Sequence, residues 1–324
     1  MKIKRPEMFN ISEKDGESKL WRQILSFIAV FLIGSMVGTI PVLIVSFKDT
    51  IELAMSGVSQ EEMQVLLEQL AGSRTYICAS LFGTIFSIIA TILYACKIEK
   101  RSLRSFGFVR KNAFRDYLVG ILVGFVMFSL VVGLNVVTGS MTVSVATENF
   151  SMATLGFILV FFIGFLFQGA YEEILVRGYF MVNIGAKHKV ITAVIISSIA
   201  FAIMHGGNSG IALLPLINLV LIAVFFGLYI ICFNNIWGAC AIHSIWNFVQ
   251  GNFYGIKVSG INIEDSIFVS TNIPGKELIN GGAFGAEGGI ATTIVTIFSI
   301  IILLIYMKKR GKIENKTTEN VENN

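Results

Sequence analysis

The sequence predicts an all-α fold, a polytopic transmembrane helical bundle of about eight spans with both termini in the cytoplasm. Of the 324 residues, 54% are hydrophobic and only 14% are charged, whereas soluble domains carry about 25% charged residues. The mean hydropathy is +0.75. Apolar stretches near the roughly 20 residues that cross a bilayer also recur along the chain. A single transmembrane domain is therefore expected over residues 23–307.

The predicted spans are apolar stretches with few acidic or basic residues. They lie at about 23–47, 75–96, 117–138, 152–180, 190–205, 211–233, 236–254 and 289–307. The fourth carries charges near its end, and the fifth is short. Because no Asp, Glu, Lys or Arg occurs between Lys189 and Lys257, that stretch must hold more than one helix. Breaks are expected at Asn208-Ser-Gly and at Asn234-Asn235.

Lys and Arg residues cluster in alternate connections between the spans. Residues 1–22, the loop 97–115 and the start of the tail 308–324 are basic, whereas the loop 48–73 is acidic. The positive-inside rule then places the N-terminal segment 1–22 and the polar tail 308–324 in the cytoplasm. The net charge is only +4 and the basic residues flank apolar runs. Nucleic acid is therefore not an expected partner, whereas the lipid bilayer is.

The loop motifs, the glycine spacings and the cysteines each predict a structural role. Ser59-Gln-Glu-Glu62 is a capping box that predicts a helix to about Ala71. The glycine-rich stretch 280–289 follows no predicted strand, so a flexible loop is favoured over a phosphate site. Gly34-x-x-x-Gly38 and Gly120-x-x-x-Gly124 predict close helix contacts. The four cysteines lie in apolar runs without a C-x-x-C pair, which favours a packing role.

Six polar side chains are expected at membrane depth, where a charge costs at least about 2.5–3.5 kcal/mol and usually has a partner and a task. Glu173 and Arg177 are four residues apart and can form an ion pair on one helix face. Glu172 lies about 100° round the helix and has no in-helix cation. We therefore expect Glu173 to hold structure and Glu172 to be free for chemistry. The remaining members are His205, His243 and Asn247.

Together these residues predict a hydrolytic site. Glu172 would act as the base and His205 would orient water, while His243 and Asn247, four residues apart, would donate to an oxyanion. Three alternatives remain open. The charges could form a packing cluster, or a small transporter could use them as a proton or substrate site. Zn²⁺ could also be held by Glu172, His205 and His243, although the H-E-x-x-H pattern is absent.

The motifs of these residues resemble those of a known family. Glu172-Glu173-Ile-Leu-Val-Arg177, Phe201-Ala-Ile-Met-His205 and His243-Ser-Ile-Trp-Asn247 follow the patterns E-E-x-x-x-R, F-x-x-x-H and H-x-x-x-(N/D) in order. They are similar to those of the CAAX-protease and bacteriocin-processing (CPBP, or Abi) intramembrane proteases, which include the type II CAAX prenyl endopeptidases. The resemblance covers about residues 103–255.

The resemblance implies an intramembrane endopeptidase that cleaves proteins or peptides in or beside the membrane. It implies catalytic roles for Glu172, His205, His243 and Asn247, and supporting roles for Glu173, Arg177 and Phe201. The favoured glutamate mechanism requires no cofactor, while the metalloprotease account would use zinc or another divalent metal. A non-catalytic membrane immunity protein of the same fold is the alternative. The Lys-, Asn- and Ile-rich composition suggests a bacterial cell membrane, where bacteriocin immunity or peptide maturation is favoured over prenyl-protein processing.

Overall fold

The structure is a computed structural model that describes residues 2–12, 19–146, 151–263 and 265–314, apart from the side chains of 68 and 71. The end of the predicted tail, 315–324, lies outside them. The described helices are α1 Glu7–Ser12, α2 Leu20–Gly38, α3 Ile40–Met55, α4 Gln60–Ala71, α5 Arg74–Leu93, α6 Ala113–Val137, α7 Met152–Glu173, α8 Val182–Lys187, α9 Val190–Met204, α10 Leu213–Phe233, α11 Trp237–Phe248, α12 Glu277–Asn280 and α13 Ile290–Lys309. The described strands are β1 Lys2–Ile3, β2 Met141–Val145, β3 Phe268–Asn272 and β4 Ile313–Glu314.

The helical bundle has the composition of an integral membrane protein. Within the described residues, six helical segments are long and apolar enough to cross a bilayer. These segments are Leu20–Gly38, Arg74–Ile98, Ala113–Val137, Met152–Lys187, Leu213–Phe233 and Ile290–Lys309. Two further predicted spans correspond to shorter helices, α9 with 15 residues and α11 with 12. The transmembrane bundle is thus confirmed, while the count of eight stays a prediction.

Two predicted spans differ in extent from the helices observed. The first, 23–47, is divided between α2 and α3, which meet at Thr39. Pro41 lies in the first turn of α3, where its missing N–H leaves no hydrogen bond unmade. The fourth span, 152–180, continues without a break to Lys187, because a π-helix at Ile174–Met181 joins α7 to α8. The spacing of apolar residues reveals neither the division of the first span nor the extension of the fourth.

Two short antiparallel sheets supplement the helices in the described chain. β2 pairs with β3, so that Met141 lies opposite Asn272 and Val145 opposite Phe268. β1 pairs with β4 through Lys2 opposite Glu314, which brings the two ends of the described chain together. Only helices were expected from the sequence. Strands of two to five residues give too short an alternation to be recognised among apolar spans.

The predicted glycine contacts are confirmed. A Cβ at Gly38 would lie 2.2 Å from the hydroxyl of Ser87 on α5. A Cβ at Gly120 would lie 2.5 Å from the carbonyl oxygen of Gly238, and one at Gly124 would lie 2.7 Å from that of Ile242. Small residues let helix backbones approach each other closely in membranes. The second pair of glycines therefore seats α11, which carries His243, directly against α6.

The connections between helices show one agreement and one correction. Ser59 and Glu62 form the predicted capping box, since each backbone N–H donates to the other residue's side chain. The glycine-rich stretch 280–289 was expected to be a flexible loop, and that prediction is wrong. It folds into tight turns in which Phe284 is fully buried, and Asn218 Nδ2 donates to the carbonyls of Glu287 and Gly289. Buried backbone groups need such partners, and the sequence does not show them.

Candidate active site

The two glutamates of the candidate site end α7 and precede a change of helix type. The π-helix Ile174–Met181 begins directly after Glu173. Its wider turns leave backbone carbonyls to be satisfied from elsewhere, and π segments are frequent at functional sites. Arg101 donates to the carbonyls of Gly178 and Tyr179 at 2.8 and 3.1 Å. Burial lowers the pKa of Arg101 to about 10. The buried guanidinium thus stabilises this segment.

The predicted ion pair between Glu173 and Arg177 is present. Arg177 Nη1 donates to Glu173 Oε1 at 2.7 Å, and neither side chain is exposed. The guanidinium lies over the rings of Phe201 and Phe226, at 4.6 and 5.3 Å from their centroids. Cation–π contacts of this kind are strongest where water is excluded. The pair is therefore an internal support between α7, α9 and α10, and Phe201 is a part of it.

His243 joins this support to the second glutamate. Its Nδ1 lies 2.9 Å from Glu173 Oε1, and its ring stacks on Phe226 with centroids 5.1 Å apart. Because Glu173 also binds Arg177, it is a carboxylate acceptor, and we assign the proton to Nδ1 of His243. The other nitrogen, Nε2, then faces Glu172 Oε2 at 3.5 Å. Glu173 thus fixes both the orientation and the tautomer of His243.

His205 reaches the same carboxylate oxygen from another helix. It is the residue directly after α9, and its Nδ1 lies 2.9 Å from the backbone carbonyl of Phe201. A carbonyl can only accept, so Nδ1 carries the proton. Nε2 of His205 then lies 3.8 Å from Glu172 Oε2. Two histidines therefore direct their Nε2 atoms toward one glutamate oxygen.

This arrangement places three acceptor atoms together. Glu172 Oε2 is buried and has no hydrogen-bond partner among the described residues. In their neutral forms the two Nε2 atoms of His205 and His243 are acceptors as well. Acceptors repel one another unless a proton donor or a cation lies between them. A water molecule, a protonated imidazole or a metal ion meets that requirement, so the site suits a polarised water beside a carboxylate.

Gln168 connects the remaining site residue to Glu172. Its Nε2 donates to Glu172 Oε1 at 2.6 Å, and its Oε1 accepts from Asn247 Nδ2 at 2.8 Å. Gln168 was not predicted as a site residue from the sequence. The feature that could have identified it is its position as a lone amide one turn before Glu172 in an otherwise apolar helix. Since Gln168 occupies one oxygen of Glu172, only Oε2 remains for chemistry.

These side chains line a cavity of about 880 Å³. Glu172, His205, His243 and Asn247 all contribute to it, so the structure brings the four predicted catalytic residues together. The lining is rich in hydroxyls from α2, from its junction with α3 and from α5, namely Ser35, Thr39, Tyr76, Ser80, Thr84 and Ser87. No Lys or Arg of the described ranges lines it. The cavity therefore brings polar groups and space for water to Glu172 within an apolar bundle.

Glu287 is a second carboxylate on this cavity that the sequence analysis did not select. It is only 8% exposed and belongs to the glycine-rich stretch before α13. Its Oε1 accepts from the backbone N–H and the hydroxyl of Ser259, at 2.6 and 2.5 Å. Burial raises the pKa of Glu287, and the hydrogen bond from Ser259 opposes that shift. The sequence does not reveal that Glu287 lies near His205, because the two residues are far apart along the chain.

The metal alternative was tested against the donor atoms present. Zn²⁺ would need Glu172, His205 and His243 as a set of ligands. Within the described ranges, no group of three His, Cys, Asp or Glu side chains is arranged to hold a metal ion. Glu172 Oε2 lies 3.8 Å from His205 Nε2 and 3.5 Å from His243 Nε2. The glutamate mechanism uses no metal, and zinc held by these three residues is the alternative that chelation tests.

Comparison with known proteins supports the resemblance in the central third of the chain. Residues 154–249 match the family model described as Type II CAAX prenyl endopeptidase Rce1-like. This Rce1-like region contains all three motifs and runs from the start of α7 to the end of α11. It is narrower than the predicted core 103–255, whose outer parts stay a prediction. No curated protein and no solved structure matches the chain.

Proposed function

We propose that this protein is an intramembrane endopeptidase in which Glu172 activates a water molecule. The observation that carries the proposal is the unpartnered Glu172 Oε2, which faces the Nε2 atoms of His205 and His243 inside the cavity. The Rce1-like match supports peptide-bond hydrolysis as the reaction class. A packing cluster would not require a buried carboxylate oxygen without a hydrogen bond, since such an atom is costly.

In this proposal Glu172 is the general base. Oε2 removes a proton from water, and the resulting hydroxide attacks the carbonyl carbon of the peptide bond. Nε2 of His205 accepts from the other hydrogen of that water, because Nδ1 is bound to Phe201. Gln168, through Oε1, keeps the carboxylate in one rotamer. The carboxyl then returns the proton to the leaving amine, so the step is balanced.

Two groups stabilise the oxyanion of the tetrahedral intermediate. His243 in its protonated form donates Nε2–H, and Glu173 stabilises that form through Nδ1. Asn247 donates one N–H to Gln168 and has a second available. Donors fixed in a water-poor site stabilise developing charge more strongly than the same donors in water. Arg177 prevents Glu173 from leaving its place.

Substitution of Glu172 tests the proposal. Glu172→Gln keeps the size and the Gln168 contact but removes the base, so cleavage should fall at least about 10²–10⁴-fold. His205→Ala should have a similar effect. Glu61→Gln is the matched control, because Glu61 lies in another glutamate pair on the exposed helix α4. Retained activity in folded Glu172→Gln would contradict the proposal and favour a non-catalytic binding protein.

A chelation experiment addresses the metal mechanism. Purified protein in detergent is incubated with a strong chelator, and cleavage is measured before and after the chelator is removed. The glutamate mechanism predicts unchanged cleavage. A loss that added zinc restores would instead support Glu172, His205 and His243 as ligands, and Glu172 would then not be the base.

The substrate class is a membrane-associated protein or peptide. The family description includes prenyl-protein cleavage, and we propose peptide maturation or bacteriocin immunity in a bacterial cell membrane as the role. Comparative peptidomics of membranes that contain wild type or Glu172→Ala would identify the substrate. Peptides that accumulate only with wild type are products. Absence of any such peptide would contradict a proteolytic role.

A further inference from the structure

The turn Val258–Ile261 forms a wall of the cavity outside the Rce1-like region. Val258 and Ile261 exchange backbone hydrogen bonds of 2.9 Å, and Ser259 and Gly260 occupy the tip. All four residues line the cavity that contains Glu172. Ile261 is 53% exposed, so the cavity is open at this turn. An exposed apolar side chain in the lining of an open cavity is available to a ligand.

The tip of this turn has a strained backbone that a specific contact holds. Ser259 has φ +47° and Gly260 has φ +89°. Two-residue turns with positive φ at both positions prefer Asn-Gly or Gly-Gly, so serine at the first position is unusual. Both donors of Ser259, the N–H and the hydroxyl, bind Glu287 Oε1. Strain of this kind persists only where the surroundings enforce it, and it clusters at functional sites.

Glu287 is itself held firmly in place. Asn218 of α10 donates to its carbonyl at 2.8 Å, and Thr293 donates to Asn218 Oδ1 at 2.6 Å. The neighbouring turn is fixed as well, because the N–H of Gly260 donates to the carbonyl of Phe284 at 2.8 Å. The turn Val258–Ile261 is therefore attached through Glu287 to the rigid helices α10 and α13. A wall positioned in this way can discriminate between shapes.

We propose that the turn Val258–Ile261, held by Glu287, is a specificity-determining wall that accepts an apolar side chain of the peptide substrate. Leu219 and Ile222 of α10 add apolar surface to the same cavity. Glu287 acts as a positioning residue through Ser259. This inference rests on the proposed function and adds to it a preference for apolar residues near the scissile bond, because the turn lines the same cavity as Glu172.

Cleavage profiling of a peptide library tests this wall. The library is a tryptic digest of membrane proteins, and the enzyme is reconstituted in phosphatidylglycerol and phosphatidylethanolamine vesicles. Cleavage sites are identified by mass spectrometry. Ile261→Ala enlarges the pocket, so the preference should move toward larger apolar side chains by about 10-fold. Leu278→Ala is the matched control, because Leu278 is 64% exposed on α12, away from the cavity.

Two variants of Glu287 separate positioning from general damage. Glu287→Ala removes the acceptor of both Ser259 donors and should change the cleavage preference. Glu287→Gln keeps an acceptor oxygen and should restore the wild-type preference. A profile that is the same in wild type, Ile261→Ala and Glu287→Ala overturns the inference while Glu172-dependent cleavage persists. If no cleavage depends on Glu172, the proposed function is contradicted, and this inference is contradicted with it.

Discussion

The ion pair between Glu173 and Arg177 gives the sharpest test of how the site is supported. Arg177→Met removes the cation but fills similar space between Phe201 and Phe226. Glu173 then keeps only its contact with His243 Nδ1 as a charge partner. Because both side chains of the pair are fully buried, breaking it leaves an uncompensated charge, which costs about 3–5 kcal/mol. Because Glu173 keeps its contact with His243, we expect the free energy of unfolding to fall by about 3 kcal/mol, near the lower end of this range.

A double-mutant cycle separates the charge from the packing. Glu173→Gln together with Arg177→Met removes both charges, so the double variant should lose less stability than Arg177→Met alone. Unfolding is followed by tryptophan fluorescence while SDS is added to protein in detergent micelles. The chain contains three tryptophans, which supply the signal.

An exposed pair at the same spacing is the control. Lys48 and Glu52 are also four residues apart, at 3.6 Å, with side chains 81% and 65% exposed. Exposed helix pairs contribute only about 0.3–0.5 kcal/mol, so Glu52→Gln should change stability little. The reasoning would be refuted if Arg177→Met were no more destabilising than Glu52→Gln, or if the double variant lost the sum of the two single losses.

Other predictions follow from single contacts. Gln168→Leu should lower cleavage about 10-fold or more without unfolding the protein, because it frees Glu172 to leave its rotamer; kcat and thermal unfolding are compared. Gly120→Ala should destabilise the bundle and Gly133→Ala should not, since a Cβ meets a backbone oxygen at 2.5 Å in the first case and nothing within 4 Å in the second. Burial raises the pKa of Glu287, so its contribution to stability is fully present below its unfolded pKa and is lost as the pH rises through its folded pKa. Glu287→Gln should therefore gain unfolding temperature relative to wild type as the pH is raised from 5 to 8.

The sequence was sufficient for the parts of the site that follow from helical spacing. Residues four apart on one helix must share a face, so the pairing of Glu173 with Arg177 and the common orientation of His243 and Asn247 were predictable. His205 was placed in the same group because it is a histidine inside a predicted span, and the resemblance implied the same role. Their convergence on one cavity agrees with that prediction, while their chemical roles stay proposals.

The features that the sequence did not predict depend on tertiary packing. Gln168 bonds to Asn247, 79 residues away, and Glu287 bonds to Ser259, 28 residues away. No local pattern reports contacts of that kind. The glycine-rich stretch was misread for the same reason, because its partner Asn218 is 69 residues from Glu287. Likewise, the π-helix that prolongs α7 has no apolar period of its own to reveal it.

The pairing of β1 with β4 limits how many times the chain between them can cross the bilayer. Two hydrogen-bonded strands must lie in the same aqueous compartment, so the chain between them crosses the bilayer an even number of times. Six helices qualify by length and apolarity. The expected count of eight spans is also even, so the strand pairing is compatible with six or with eight crossings. A reporter fused to either end is expected to give the same orientation.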